Sequence, residues 1–202
     1  EDSIWSALAL IENIPIIKEI HLDFIEAGAE FIIANNYAVT QPILERENLS
    51  HMLEDLTLRS IEIAKEAIKE SGKEVLLAAS LPPLETSYRS DLILERTSMD
   101  HMYGELASIL ENNVDIVICE TMSHSQEAMS ALTSIQNLKS QKWLAWTIYG
   151  NQNTLPSGET ITEAFDVISD LECDAYLIQW GEANVITEGL TVRNPLTNEP
   201  LV

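Results

Sequence analysis

The residue best placed for chemistry is Glu120, which follows the apolar run Val114-Asp-Ile-Val-Ile-Cys119. Such a run suits a strand buried on both faces, as in parallel sheets. Thr121-Met-Ser-His-Ser-Gln-Glu-Ala128 then opens a helix, which places Glu120 in a strand-to-helix turn. In parallel α/β folds, ligands gather at that edge. Other strand-like runs end comparably, at Asn35-Asn36-Tyr37, Ser80-Leu81-Pro82-Pro83, Tyr149-Gly150 and Gln179-Trp180-Gly181. The edge therefore carries a carboxylate, phenols, amides, a hydroxyl and an indole. A carboxylate binds an ammonium, while amides and backbone N–H groups bind a carboxylate, so the set suits a small zwitterion.

Other chemistries find no support in the residues. There is no G-x-S-x-G, and Cys119 has no evident base. His21, His51, His101 and His124 fall in helical segments or a helix entry, without a His or Cys at ligand spacing. No Gly-rich nucleotide-cradling loop occurs. A net charge of −22, from 11 basic and 33 acidic residues, argues against nucleic acid and anionic membranes as partners. Apolar runs reach only strand length, too short to span a bilayer. The start, Glu1-Asp2-Ser3-Ile4, has no signal-peptide pattern and no initiator Met, so the true start is expected upstream. Cys119 and Cys173 read as buried thiols in a reducing compartment, with the cytoplasm as the expected address.

The elements that must position this edge alternate along the chain. Helical periodicity covers 15–27, with Gly28 as a stop, then 51–70, ending at Ser71-Gly72. It returns around Met99–Leu110, over 125–139, from Thr160 to Leu171, and at 182–190. Ser123 with Gln126, and Thr160 with Glu163, have capping-box spacing. Between these lie strand candidates at Phe31–Ala34, Val75–Ala79, 114–119, Trp143–Ile148 and Asp174–Ile178. Five β-then-α units imply right-handed crossovers and a parallel sheet. Without a Gly-rich first turn, a barrel is preferred over an open doubly wound sheet. A barrel needs eight strands, so a single partial (β/α)8 TIM-barrel-type domain over 1–202 is expected, with the first strand and the last two missing.

The edge residues and their flanks resemble the homocysteine S-methyltransferase family. The resemblance runs from Ile4-Trp5-Ser6-Ala7 through His21-Leu-Asp-Phe-Ile-Glu-Ala-Gly-Ala29 to Ala34-Asn35-Asn36-Tyr37. It resumes at Ala79-Ser80-Leu81-Pro82-Pro83-Leu84 and Ser87-Tyr88-Arg89-Ser90-Asp91-Leu92. It is clearest at Asp115-Ile-Val-Ile-Cys-Glu120-Thr121, with Glu127-Ala128 and Ser157-Gly158-Glu159 after it. The resemblance implies a (β/α)8 barrel in which a zinc-bound homocysteine thiolate takes a methyl group from a sulfonium or ammonium donor, giving methionine. It assigns Glu120 to the substrate ammonium, Tyr37 to the pocket wall, and the backbone N–H of Thr121 to a nearby contact.

The zinc ligands implied by the resemblance are three cysteines, one in an Asn-Cys pair after the sixth barrel strand and two adjacent near the C-terminus. Here the first position reads Gln179-Trp180, and indole cannot ligate a metal. No adjacent cysteine pair occurs within the 202 residues. Cys173 stands about seven residues before Trp180, near the opposite end of the barrel at ~3.3 Å per residue. Two alternatives to a transferase stay open: a zinc-free relative that binds an amino acid or methylated amine, and an inactive partial chain. The sequence gives no reading of oligomeric state.

Overall fold

Strand order decides between a closing and an open sheet. The computed structural model describes residues 4–148 and 154–179. Within them β1 (Phe31–Ile33), β2 (Leu76–Leu81), β3 (Ile116–Met122), β4 (Gln141–Thr147) and β5 (Ala175–Gln179) pair in the order β1-β2-β3-β4-β5. Every pairing is parallel. A doubly wound sheet reverses its order at a switch point. This sheet does not, so right-handed crossovers place the helices on one side. The helices are α1 (Ala9–Glu12), α2 (Ile14–Glu26), α3 (Gln41–Glu45), α4 (Leu53–Ser71), α5 (Arg96–Leu110), α6 (Ser125–Ser134) and α7 (Ile161–Val167).

Alternation along the strands divides the apolar residues between two cores. Ile32, Leu77, Ala79, Val117, Cys119, Leu144 and Trp146 join the helices in one large buried cluster. Ala78, Ile116 and Ile118 form a small second cluster with Phe31 and Trp143 on the other face. Phe31 on β1 and Trp143 on β4 meet edge to face, with ring centroids 5.2 Å apart. In a flat sheet, strands three apart would stand about 14 Å apart. Their contact requires strong curvature, so the five strands form part of a barrel, with the small cluster on its concave side.

Local chemistry accounts for the element ends. Gly72 closes α4 in the left-handed region at φ 64°, where a residue without Cβ is unstrained. The Thr160–Glu163 capping box opens α7 as expected. Asp115, one residue before β3, accepts the Leu77 N–H at 2.8 Å, and Asp174 does the same for Lys142 at 2.7 Å before β5. Each carboxylate extends the ladder to the neighbouring strand at the end opposite Glu120.

Several expected boundaries change. β3 continues through Met122, so Glu120 lies inside the strand's last turn of pleat and not in a strand-to-helix turn. The cap of α6 is His124, whose Nδ1 accepts the Gln126 N–H; the Ser123 hydroxyl donates instead to the Thr121 carbonyl. The helix ends at Ser134, short of 139, because the Gln136 amide bonds both backbone groups of Glu172 and draws the chain away. Helix α3 is an addition to the expected elements; the Thr40 cap and Pro42 in its first turn are its start signals. The expected helix at 182–190, the Tyr149-Gly150 edge and Trp180-Gly181 lie outside the described residues. No helix among the described residues is long and apolar enough to cross a membrane.

Candidate functional site

The site begins where β1 runs out. After only three residues, strand pairing with β2 is continued by a side chain: Asn36 Nδ2 donates to the Ser80 carbonyl at 2.8 Å, and the Ser80 N–H donates to Asn36 Oδ1 at 3.0 Å. Asn36 is buried, so this amide acts as a surrogate strand. It fixes Ser80 on β2, and the Ser80 hydroxyl donates to Glu120 Oε1 on β3. Burial raises the Glu120 pKa above the usual carboxylate range, and the Ser80 hydrogen bond partly offsets that.

Immediately after Glu120 the β3–β4 register breaks between Cys119 and Met122. Thr121 there adopts φ 60°, a left-handed conformation rare for a β-branched residue. Its hydroxyl accepts from Gln179 Nε2 at 2.7 Å. Tyr37, just beyond β1, shares a 2.6 Å hydrogen bond with Ser87. Burial pushes the Tyr37 phenol up, while the Ser87 and Thr121 hydroxyls pull it back. Tyr88, also left-handed at φ 64°, has its phenol pushed up to about 12 by burial, with Tyr37 and Glu120 adding to the shift. Tyr37, Tyr88, Thr121 and Glu120 thus gather at the C-terminal edge of the sheet.

A cavity of about 580 Å³ opens beside them. Ser6, His21, Asn35, Tyr37, Ser80 and Glu120 are the polar members of its lining, with apolar side chains such as Ile20, Phe24, Phe31 and Ile33 beside them. Among the described residues, no lysine or arginine lines it. One Glu120 oxygen takes the Ser80 hydroxyl; a carboxylate offers further lone pairs to a ligand donor. His21 also lines the cavity, but burial lowers its pKa and favours the neutral ring, so the buried carboxyl leaves the pocket suited to a cation over an anion.

The loop after β2 is tied down from two sides. Glu127, buried at 5% exposure, accepts the Leu84 N–H at 3.0 Å, and Thr40 donates to the Leu84 carbonyl at 2.7 Å. Tyr103 donates to the Pro82 carbonyl at 2.8 Å. This loop carries Ser87, so the clamp reaches the Tyr37 hydroxyl. Neither periodicity nor spacing marks a loop serine or a buried glutamate on a helix, so only the family resemblance touches Ser87 and Glu127 in the sequence.

Comparison with known proteins bears on this geometry. The family model described as Homocysteine S-methyltransferase matches residues 1–190. The chain belongs to the homocysteine S-methyltransferase family. It is 27% identical to Homocysteine S-methyltransferase 1 of Brassica oleracea var. italica over 192 residues, covering 83% of this chain and 58% of that protein. It is 28% identical to Homocysteine S-methyltransferase 1 of Arabidopsis thaliana over 191 residues, again covering 83% and 58%. The chain thus spans little more than half the length of these relatives. The metallated form of the homocysteine methyltransferase MmuM from Escherichia coli superimposes with a TM-score of 0.86 at 24% identity, covering all of this chain and 75% of that one. That likeness supports the partial-barrel fold.

A zinc site in this family member would need thiolate, imidazole or carboxylate groups brought together. Among the described residues, no group of three or more His, Cys, Asp or Glu is placed to hold a metal ion. Cys119 is fully buried in the helix-facing core, and burial holds its thiol well above the usual range. Cys173 contacts the Lys142 and Ala175 carbonyls before β5, and burial pushes its thiol up to about 12. Neither thiol is poised as a thiolate ligand. The described residues do not fit zinc, and Trp180 lies outside them.

Proposed function

We propose that this chain carries the amino-acid-binding part of a homocysteine S-methyltransferase site, with Glu120 as the anchor for the substrate's α-ammonium. The observation that carries the reading is the buried Glu120 carboxyl, oriented by Ser80 in a cavity whose described lining holds no lysine or arginine and whose one histidine, His21, has its pKa lowered by burial. Ser80 holds one oxygen and leaves the carboxylate facing a donor. Tyr37 walls the pocket, and the Thr121 backbone N–H, at the register break, serves the substrate carboxylate. These residues bind and orient. In the complete reaction, a homocysteine thiolate attacks the methyl carbon of a sulfonium or ammonium donor, and the donor leaves with the bonding electron pair. The described residues supply no metal-ligand set.

Calorimetric titration of the 202-residue chain with L-homocysteine and with 4-mercaptobutanoate, its analogue without the amine, tests the reading. Homocysteine is expected to bind at least about tenfold more tightly, the scale of a hydrogen-bonded charge contact. Equal affinities would refute the anchor.

The placement of Cys119 and Cys173 favours a second reading, a zinc-free relative that binds an amino acid without transferring a methyl group. Elemental analysis separates the two. Stoichiometric zinc and methionine formation support the transferase, whereas metal-free binding without turnover supports the binder.

A further inference from the structure

Two segments at the C-terminal edge of the sheet are held together at one carboxylate. Glu159, just before the Thr160 cap of α7, accepts the Ser125 N–H at 3.0 Å, the Ser157 hydroxyl at 2.6 Å and the Ser125 hydroxyl. The Ser157 N–H donates to the Ser123 carbonyl at 3.2 Å, and the Ser123 hydroxyl to the Thr121 carbonyl at 3.2 Å. The segment before α7 is thereby clasped to the turn that follows Glu120. Burial raises the Glu159 pKa, but the Ser125 and Ser157 hydroxyls, the Ser125 N–H and His124 outweigh it and hold the carboxyl below its usual range. The clasp is therefore ionised at neutral pH.

His124 stands in two roles that use one atom. Its Nδ1 accepts the Gln126 N–H at 3.2 Å, which caps α6, and the same Nδ1 lies 3.5 Å from Glu159 Oε2. A neutral ring can offer Nδ1 as an acceptor, whereas a protonated ring makes it a donor. Protonation therefore takes the acceptor away from Gln126 and presents a charged donor to Glu159. Helix α6 packs against α5, β3, β4 and α7, whose charged groups are engaged elsewhere. Asp100 on α5 takes Arg96 and the Ser130 hydroxyl, Glu120 on β3 takes Ser80, and Glu163 on α7 takes Thr160. Lys142 lies toward the opposite end of β4, and Glu127, on α6 itself, holds Leu84. Among the described residues, Glu159 is the one carboxylate within ion-pair distance of His124.

We propose that His124 is a proton-operated switch at this clasp. Neutral, it caps α6; protonated, it gives up the cap and pairs with Glu159, fastening the segment before α7 to the turn after Glu120. The switch does not depend on what Glu120 binds, so its failure would leave the ammonium-anchor reading untouched.

The test is a double-variant cycle of His124→Asn and Glu159→Gln on the full chain, read by thermal melts at about pH 8 and about pH 5.5, which bracket histidine protonation. The Gln126 amide is followed by NMR over the same range. Asparagine caps a helix without titrating, and glutamine keeps an acceptor without the charge. The coupling between the two positions is expected to be absent at the higher pH. At the lower pH it should favour the native pair by about 1–2 °C, the scale of one partly exposed ion pair at this chain length. The Gln126 amide resonance should move upfield as the pH falls, because its acceptor is lost, and should stay in place in His124→Asn. In Glu159→Gln it should still move, since the cap is released while the ion pair is gone. Equal coupling at both pH values, or a wild-type Gln126 amide that does not move, would overturn the switch.

Discussion

Ser80 and Glu120 stand on adjacent strands, and the Ser80 hydroxyl donates to Glu120 Oε1. Ser80 cannot readily turn away, because Asn36 bonds both its N–H and its carbonyl. A buried carboxyl is therefore held in one orientation by a donor that is itself fixed. Such preorganisation costs stability when no ligand is bound.

The cost has a sign and a pH window. Burial raises the folded-state pKa of Glu120 above its unfolded value. Its contribution to stability is fully present below the unfolded pKa, about 4.3, and is lost as pH rises through the higher folded pKa. At pH 7, Glu120→Gln should therefore melt higher than wild type. The difference should close as the pH falls toward 4. Thermal melts at both pH values check this.

Glu127 shows what a buried carboxyl does away from the cavity lining. Its Oε1 accepts the Leu84 N–H, and Tyr103 Oη lies 3.3 Å from the same atom. Glu127→Ala would leave a buried N–H without a partner and should cost about 1–3 kcal/mol. Glu127→Gln keeps an acceptor and should cost under half as much. Urea unfolding of the two variants measures the difference, and binding should weaken only where the loop carrying Ser87 is released.

Thr160 supports the start of α7, where its hydroxyl accepts the Glu163 N–H at 3.2 Å. Thr160→Ala should cost about 1 kcal/mol, as loss of a helix cap does. Denaturant midpoints of wild type and variant check this, and Thr160→Ser should restore most of the loss.

These elements also show which parts were legible from residues alone. The apolar run before Glu120, Gly72 and the Thr160–Glu163 spacing are local signals with local consequences, and the structure bears them out. Glu120 was legible as an edge residue but not as a strand residue. Thr121 and Met122 extend β3 through a left-handed break, and no glycine announces such a break. The Asn36 clamp, the Ser87 partner of Tyr37 and the reach of Gln179 to Thr121 join residues 44, 50 and 58 positions apart. Periodicity has no access to such pairs, because they depend on how far the sheet curls.

That curl leaves one apolar surface open. Phe24 on α2 is 62% exposed, beside exposed Ile16 and Ile20. Phe24→Ser should change stability by less than about 0.5 kcal/mol, as for other exposed positions. It should also reduce association, which contiguous apolar surface promotes. Light scattering against concentration, with a thermal melt, checks both.

The central claim is that Glu120 holds the ammonium of an amino-acid ligand. Calorimetric titration of wild type and Glu120→Gln with L-homocysteine at pH 7 tests it most directly. The account predicts at least about tenfold weaker binding in the variant, as expected for loss of a buried charge contact, with a melting temperature equal to or above wild type. Unchanged affinity in a folded variant would contradict it.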